Sequence, residues 1–413
     1  MKGLARHIEK TREWVNDKLT VQTYRSKATY FTRTTAKLTF ERLVSFILGN
    51  NRNSAQVALN DFFRDTEDGP VAKQTLFEAR DKISYKAFSD LSDKIVDDFY
   101  SDGDTLTYKG YTLLGVDGSL FQAPQGSLPV FGGQKSARCD SVSAQARALV
   151  ISDVLNRIIV KAALNPVADG ERKIFLETFE KLPKFKKPLL TFDRGFYSNE
   201  LVGALNKAEA SFLFRVKLSC CQKDIDAADE RDQVIIVGGT KLRILNLNLP
   251  SGEIEKLATN IFDEDFAVSD FYAVYEKRWG VETSYLMVKE RLAIENFTSA
   301  KKNLMLQDFF AAVIAYNFME IACMEQEAKR RENNAGITRK YEQSANRNIV
   351  AHEVRECLLS VMLETDRAKV DSKMAHIQHI IYRFFKDIRP NRLYSRDVKF
   401  PSKKYPMNKK RNC

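Results

Sequence analysis

The 413-residue chain is poor in the residues that build soft metal centres or nucleophilic relays: it has four histidines and six cysteines. No two cysteines stand in CxxC spacing, and Cys139, Cys220, Cys221, Cys323, Cys357 and Cys413 fit no zinc module. Such usage suits a reducing cytoplasm, and Cys220 and Cys221, neighbours in an apolar run, read as buried thiols. The N-terminus, MKGLARHIEKTREW, is charged throughout and lacks the apolar segment of a signal peptide. The most apolar stretch, DFFAAVIAYNFMEIACM, is interrupted by Asn317 and Glu320, so it predicts a buried core helix and no membrane partner. Internal repeats are absent. In PQGSLPVFGGQKSARCD, Gln134 stands where a phosphate loop needs glycine before Lys135, which argues against nucleotide hydrolysis.

What is present is positive charge. Lysine and arginine number 65 against 54 acids, giving a net charge of +11 and a pI near 9.2. That excess favours a polyanionic partner, nucleic acid before membrane. Before residue 35, Lys2, Arg6, Lys10, Arg12, Lys18, Arg25, Lys27 and Arg33 interleave with Trp14, Tyr24, Tyr30 and Phe31. This suits nucleic acid, and equally a solvated helix face with buried rings. The ending, from Lys386, holds ten Lys or Arg against two Asp and reads as a flexible basic tail.

Residues 1–105 read as helical, with TFERLVSFIL and QVALNDFF carrying apolar residues at three- and four-residue spacing. Two short amphipathic patterns flank a break near Ser84, where a helix-turn-helix is possible. From about 106 the pattern becomes three strands, helix, strand, helix, strand, which implies a mixed α/β core with a helix-covered sheet. Residues 215–260 read as a β-rich insertion, followed by a helix at 268–292. After 303 the chain is helical again, with a polar linker at 328–347 and two amphipathic helices at 350–386 that lack an obvious partner within the core. The expected domains are 1–105, 106–335 and 336–413.

The stretch YEKRWGVETSYLMVK places Tyr275, Arg278, Glu282 and Lys289 at spacings of three, four and seven. At 100° per residue these fall within an arc of roughly 60°, so one helical stripe carries all four. By itself the stripe is as well explained by an Arg278–Glu282 ion pair. Two further acids bear on it. Asp117 closes the strand pattern TLLGVDGS, where Asp-Gly also signals a hairpin turn. Asp193 closes the apolar strand in LLTFDRGFYS, where it could equally cap a helix or pair with Arg194. Ligands gather at the carboxyl ends of strands in such sheets. Two aspartates and one helix-borne glutamate without histidine form a hard-oxygen set suited to Mg²⁺ or Mn²⁺.

GVDGS, FDRGFYS and the Y-x2-R-x3-E-x6-K helix together resemble the DDE transposases of bacterial insertion sequences, in the class with a Tyr-Arg-Glu-Lys signature. The resemblance runs from about residue 28 to the end and includes FTRTTAKLTFERLV, TLFEARDKI and ATNIFDEDFAVSDFYAVYEKRWGVE. It implies a ribonuclease H-like catalytic core with a β-rich insertion, flanked by helical N- and C-terminal regions. It implies Asp117, Asp193 and Glu282 as catalytic and metal ligands for two Mg²⁺ ions, with Mn²⁺ as a substitute. Tyr275, Arg278 and Lys289 would contact DNA phosphates. Double-stranded DNA, as transposon ends and target, and a second copy of the chain in a homodimer are the implied partners, in a bacterial cytoplasm. Some members stack a flipped base on a tryptophan of the β insertion; here the tryptophans are Trp14 and Trp279, both outside it. The alternatives are a non-mobile nuclease or a non-catalytic DNA-binding regulator on the same fold. A tyrosine recombinase would need an Arg/His cluster, and His7, His352, His376 and His379 lie far from Tyr275 in sequence.

Overall fold

A computed structural model describes residues 3–33, 35–49, 54–64, 69–101, 103, 105–135, 141–217, 223–248, 254–278 and 295–388. Its strands are β1 (Thr112–Gln122), β2 (Gly133–Lys135), β3 (Val142–Asp153), β4 (Ile158–Pro166), β5 (Pro188–Phe192), β6 (Ser211–Val216), β7 (Asp232–Val237), β8 (Thr240–Asn248), β9 (Ile254–Thr259), β10 (Gln343–Ala345) and β11 (Phe385–Asp387). By internal contacts the chain forms two compact units. One holds Met1–Asp102, Phe121–Ala146 and Met287–Cys413; the other holds Gly103–Leu120 and Arg147–Leu286. This grouping differs from three consecutive segments.

The second unit is mixed α/β, with the strand order β4-β3-β1-β5-β6-β9-β8-β7. Strands β1, β5 and β6 are parallel neighbours, while β9, β8 and β7 extend the sheet antiparallel from β6. The Val154 N–H donates to the Leu113 carbonyl, beside the tight β3–β4 turn. An antiparallel group followed by parallel β1, β5 and β6 is the arrangement of a ribonuclease H-like core, and the β-rich insertion prolongs that same sheet.

Alternation along the parallel strands separates two apolar faces. Leu113, Leu189, Leu213, Leu245 and Leu257 lie in one cluster with Phe271, Val274 and Tyr275 of helix Val268–Lys277. Phe192 and Phe214 alternate with that set, stacking at 4.5 Å, and Phe175 of helix Glu171–Phe179 meets Phe192 edge-on at 5.0 Å. Helices thus cover both faces, which explains why β5 and β6 are apolar on both sides.

The first unit is built around helix Lys302–Asn333. This helix is apolar around most of its circumference, is long and apolar enough to cross a membrane by length and composition, and is buried within its unit. Helices Leu4–Asn16, Phe40–Leu48, Lys86–Tyr100, Arg347–Val361 and Arg367–Arg383 pack on it. The last two correct a sequence expectation: their buried residues, among them Val350, Val354, Leu358, Met374 and Ile377, have the long helix as their partner. The linker expected from 328 is also corrected, since the helix runs on to Asn333. Arg330 keeps it going, stacking on Phe385 at 4.5 Å and donating to the Tyr382 carbonyl at 3.1 Å. Deleting the chain from Asn348 onward should therefore expose apolar surface. The expected result in a denaturation series is a lower midpoint or insolubility, and an unchanged midpoint would contradict this packing.

The aromatics of the basic N-terminus pack internally: Trp14 tilts against Tyr24 at 5.5 Å, and Arg6 and Lys10 engage Asp98. The helices Lys73–Arg80 and Lys86–Tyr100 flank the break predicted near Ser84. Cys323 and Cys357 are buried thiols outside any disulfide; Cys139, Cys220, Cys221, Cys413, Trp279 and the basic tail beyond 388 lie outside the described residues.

Candidate active site

The two aspartates meet through register. In the parallel β1–β5 pair, Val116 is opposite Phe192, so Asp117 and Asp193 follow at the next position on adjacent strands. In the β5–β6 pair, Phe192 is opposite Phe214, which brings Arg215 to the same level. Asp117, Asp193 and Arg215 therefore form one row across three strands, at the carboxyl ends of β5 and β6 and part-way along β1. Each lies two or four residues beyond Leu113, Leu189 or Leu213, on the face covered by helix Val268–Lys277.

The reading of Asp117-Gly118 as a turn is corrected, because β1 continues through both residues to Gln122. Gly118 serves a close approach instead. A Cβ there would lie 2.5 Å from the Glu171 carboxyl carbon on the opposite face, where Glu171 is held by Arg147 at 2.6 Å. Asp193 does leave the strand. Its carbonyl accepts the Phe196 N–H at 3.0 Å in a tight turn, and its side chain is 42% exposed, open to a ligand.

Helix Val268–Lys277 supplies the lid of the row. Phe271, Val274, Tyr275 and Arg278 recur at helical spacing, all are buried, and Arg278 keeps helical backbone angles. The Tyr275 hydroxyl points to Asp193 Oδ1 at 3.5 Å. Burial pushes this phenol up to about 12, so it is a neutral donor at neutral pH. Arg278 is only 2% exposed, and its guanidinium lies over the Tyr275 ring at 5.5 Å. Desolvation works against its charge, but Tyr275, Asp193 and Asp117 outweigh it and raise its affinity for the proton. Tyr275 thus faces Asp193, and Arg278 is buried against the Tyr275 ring in the field of both carboxylates.

Arg215, which carried no role in the sequence reading, approaches Asp193 at 3.9 Å and forms an ion pair with Glu255 of β9. Its signal in the sequence was a lone charge in the otherwise apolar SFLFRV. Glu282 and Lys289 lie outside the described residues. Among the described residues there is no group of three or more potential metal ligands. The two aspartates form a pair of adjacent hard-oxygen donors, both partly exposed, on the same face. That chemistry fits Mg²⁺ or Mn²⁺.

The helix entry is fixed from the chain preceding β1. Asp270 accepts the Ala267 N–H at 2.8 Å, the Tyr108 hydroxyl at 2.8 Å and the Lys109 ammonium at 2.6 Å. The Lys109 contact, with help from Tyr108 and the Ala267 N–H, holds the Asp270 carboxyl below the usual carboxylate range. A depressed folded-state value means stability present above the unfolded pKa, about 4, and lost as pH falls through the folded value. Asp270→Ala should therefore cost about 1 kcal/mol at neutral pH, the scale of a lost N-terminal cap. The difference from the parent should shrink as the pH falls below about 4. Parallel urea titrations at the two pH values check this; a pH-independent difference would contradict it.

The family model described as Transposase DDE domain matches residues 108–318, more than half of the chain, and the chain belongs to that family. The matched span includes Asp117, Asp193, Tyr275, Arg278, Glu282 and Lys289. Among solved structures, the chain is similar to that in a cryo-EM structure of a piggyBac transposase synaptic complex with hairpin DNA. Identity is 11% and the TM-score 0.45, covering 90% of this chain and 82% of that one. No curated protein matches the chain.

Proposed function

We propose that this transposase-family protein cuts DNA at the ends of a mobile element and joins those ends to target DNA by in-line phosphoryl transfer. The observation that carries the proposal is the parallel β1–β5 register, which brings Asp117, part-way along β1, level with Asp193 at the carboxyl end of β5. Glu282 is the third carboxylate of the proposal, chosen because it stands seven residues beyond Tyr275, whose hydroxyl reaches Asp193.

Asp117, Asp193 and Glu282 would hold two divalent cations, which when bound activate the attacking oxygen and neutralise charge on the leaving oxygen. The protein's own work is placement. Arg278 and Arg215 offset the charge of the two aspartates and hold the pair in position. Tyr275, neutral and buried, fixes Asp193 by donating toward it. Lys289, seven residues past Glu282 in the sequence, is assigned to a backbone phosphate, where it contributes as a point charge. The phosphate contacts assigned to Tyr275 and Arg278 belong to the same proposal, with their hydroxyl and planar fork turned between carboxylate and phosphate oxygens. A homodimer on paired ends and a cytoplasmic, DNA-bound setting complete it.

The test is nicking of DNA carrying the sequences that flank the gene, with and without Mg²⁺. Glu282→Gln, nearly isosteric but a poor Mg²⁺ ligand, should abolish nicking and leave gel-shift affinity within about threefold. Normal nicking by this variant would remove Glu282 from the site, and metal-independent nicking would remove the mechanism.

A further inference from the structure

Glycine inside a strand weakens it, yet Gly118 stands within β1 directly after Asp117. Its φ lies outside the left-handed region, so the backbone angle does not demand glycine. Space does. A Cβ at Gly118 would lie 2.5 Å from the carboxyl carbon of Glu171, 2.7 Å from its Oε1 and 2.8 Å from its Cγ. The Glu171 carboxylate therefore fills the room that a side chain at 118 would need. It does so on the face of the sheet opposite the Asp117 carboxylate, since successive residues of a strand point to opposite faces.

Glu171 is held at both ends. It opens helix Glu171–Phe179, which is anchored on the sheet by buried Ile174 and Phe175, the latter edge-on to Phe192 at 5.0 Å. Its Oε1 accepts from Arg147 Nη1 at 2.6 Å. Arg147 comes from β3, the neighbour of β1, where it alternates with fully buried Ala146 and Ala148. Folding alone gives this arrangement little advantage. A partly exposed ion pair contributes little to stability, and the glycine it requires weakens the strand. The residue whose place the contact fixes is Asp117. A carboxylate that orients reacting groups tolerates little displacement, because about 1 Å of misplacement can cost on the order of a hundredfold in rate.

We propose that the Arg147–Glu171 pair is a positioning device for Asp117: it bears on β1 at Gly118 from behind and sets the height of the Asp117 carboxylate beside Asp193. This role rests on the carboxylate metal site proposed above. Glu171 lies on the far side of the sheet from that site and acts through the β1 backbone alone. Asp193, by contrast, is approached on its own face by Tyr275 and Arg215.

The readout is the affinity of the full-length protein for Mn²⁺ alone, followed by the loss of the free-ion EPR signal. Glu171→Ala removes the support, and Gly118→Ala drives a methyl into it. Each should weaken Mn²⁺ binding about tenfold, the low end for groups that orient a metal ligand. The thermal midpoint of Glu171→Ala should stay within about 4 °C of the parent, since only a partly exposed ion pair is lost. Glu171→Gln keeps the volume and an oxygen for Arg147, so it should bind Mn²⁺ within about threefold of the parent. In G118A/E171A the new methyl takes the space the carboxylate vacates. Affinity there should return to within about threefold of the parent, where independent losses would multiply to about a hundredfold. Parent-like binding by Glu171→Ala would overturn the proposal, as would a multiplied loss in the double variant. A loss in Glu171→Gln equal to that in Glu171→Ala would make charge the cause instead of contact, and would overturn it too. If Gly118→Ala does not fold, the two Glu171 variants decide. Asp193→Asn reports on the metal site itself. Parent-like Mn²⁺ binding by that variant, or none by the parent, ends the metal site and this role with it. Lost binding in Asp193→Asn beside parent-like Glu171→Ala ends the role alone.

Discussion

Asp193→Asn and Asp117→Asn should each reduce DNA cleavage by at least about a thousandfold, which corresponds to roughly 4 kcal/mol of transition-state stabilisation. The effect is expected to be this large because neighbouring carboxylates sharing a cation act as a unit, and an amide supplies no charge. Folding should barely register the change. The Asp193 side chain is 42% exposed, its contact to Tyr275 is long at 3.5 Å, and Arg215 retains Glu255 as a partner. A stability change within about 1 kcal/mol is therefore expected, as for partly exposed groups. The same fraction folded with lost nicking and retained gel-shift affinity is the predicted outcome. Nicking within tenfold of the parent would place the chemistry elsewhere.

The second large effect is on stability. Arg80 is 1% exposed in the first unit and makes four contacts. It donates to Gln307 at 3.0 Å, the Leu304 carbonyl at 3.2 Å, Thr298 at 2.6 Å and Asp308 at 2.7 Å. Gln307 returns two donations, to the Arg80 and Ile83 carbonyls, and Asn303 donates to the Ile83 carbonyl. One guanidinium thus fastens the end of helix Lys73–Arg80 to the start of helix Lys302–Asn333. Arg80→Met keeps the apolar stem but leaves Asp308 without its cation, and breaking a buried pair from one side costs about 3–5 kcal/mol. Arg80→Lys should recover less than half, since an ammonium cannot reproduce the fork. In the double variant R80M/D308N the loss should be smaller than the sum of the two single losses. Additive losses, or a single loss under about 1 kcal/mol, would show that the pair contributes no coupling.

The local elements were legible because they rest on local patterns. The alternation in SFLFRV and TKLRILNLNL gives strands, and the three- and four-residue spacing of FERLVSFIL gives a helix. Asp193 was legible as a strand-end acid, and Asp117 as an acid on a strand, although β1 runs on past it to Gln122. Their meeting was not, because register between β1 and β5 joins residues more than seventy positions apart, and nothing in either segment encodes the offset. Arg215 was missed for the same reason: its place in the row depends on where β6 pairs with β5. Asp117-Gly118 misled because the same dipeptide serves a turn and a strand crossed closely by Glu171. The polar run after 328 misled because Arg330 finds Tyr382 and Phe385, more than fifty residues away.

The most direct test of the account locates the metal itself. Fe²⁺ substituted for Mg²⁺, with ascorbate and peroxide, cuts the backbone close to where the ion is held. Fragment masses should cluster at residues next to Asp117, Asp193 and Glu282, fade with excess Mg²⁺, and vanish in Asp193→Asn. Scattered cutting, or a cluster that persists unchanged in Asp193→Asn, would contradict the claim that these carboxylates form one metal site.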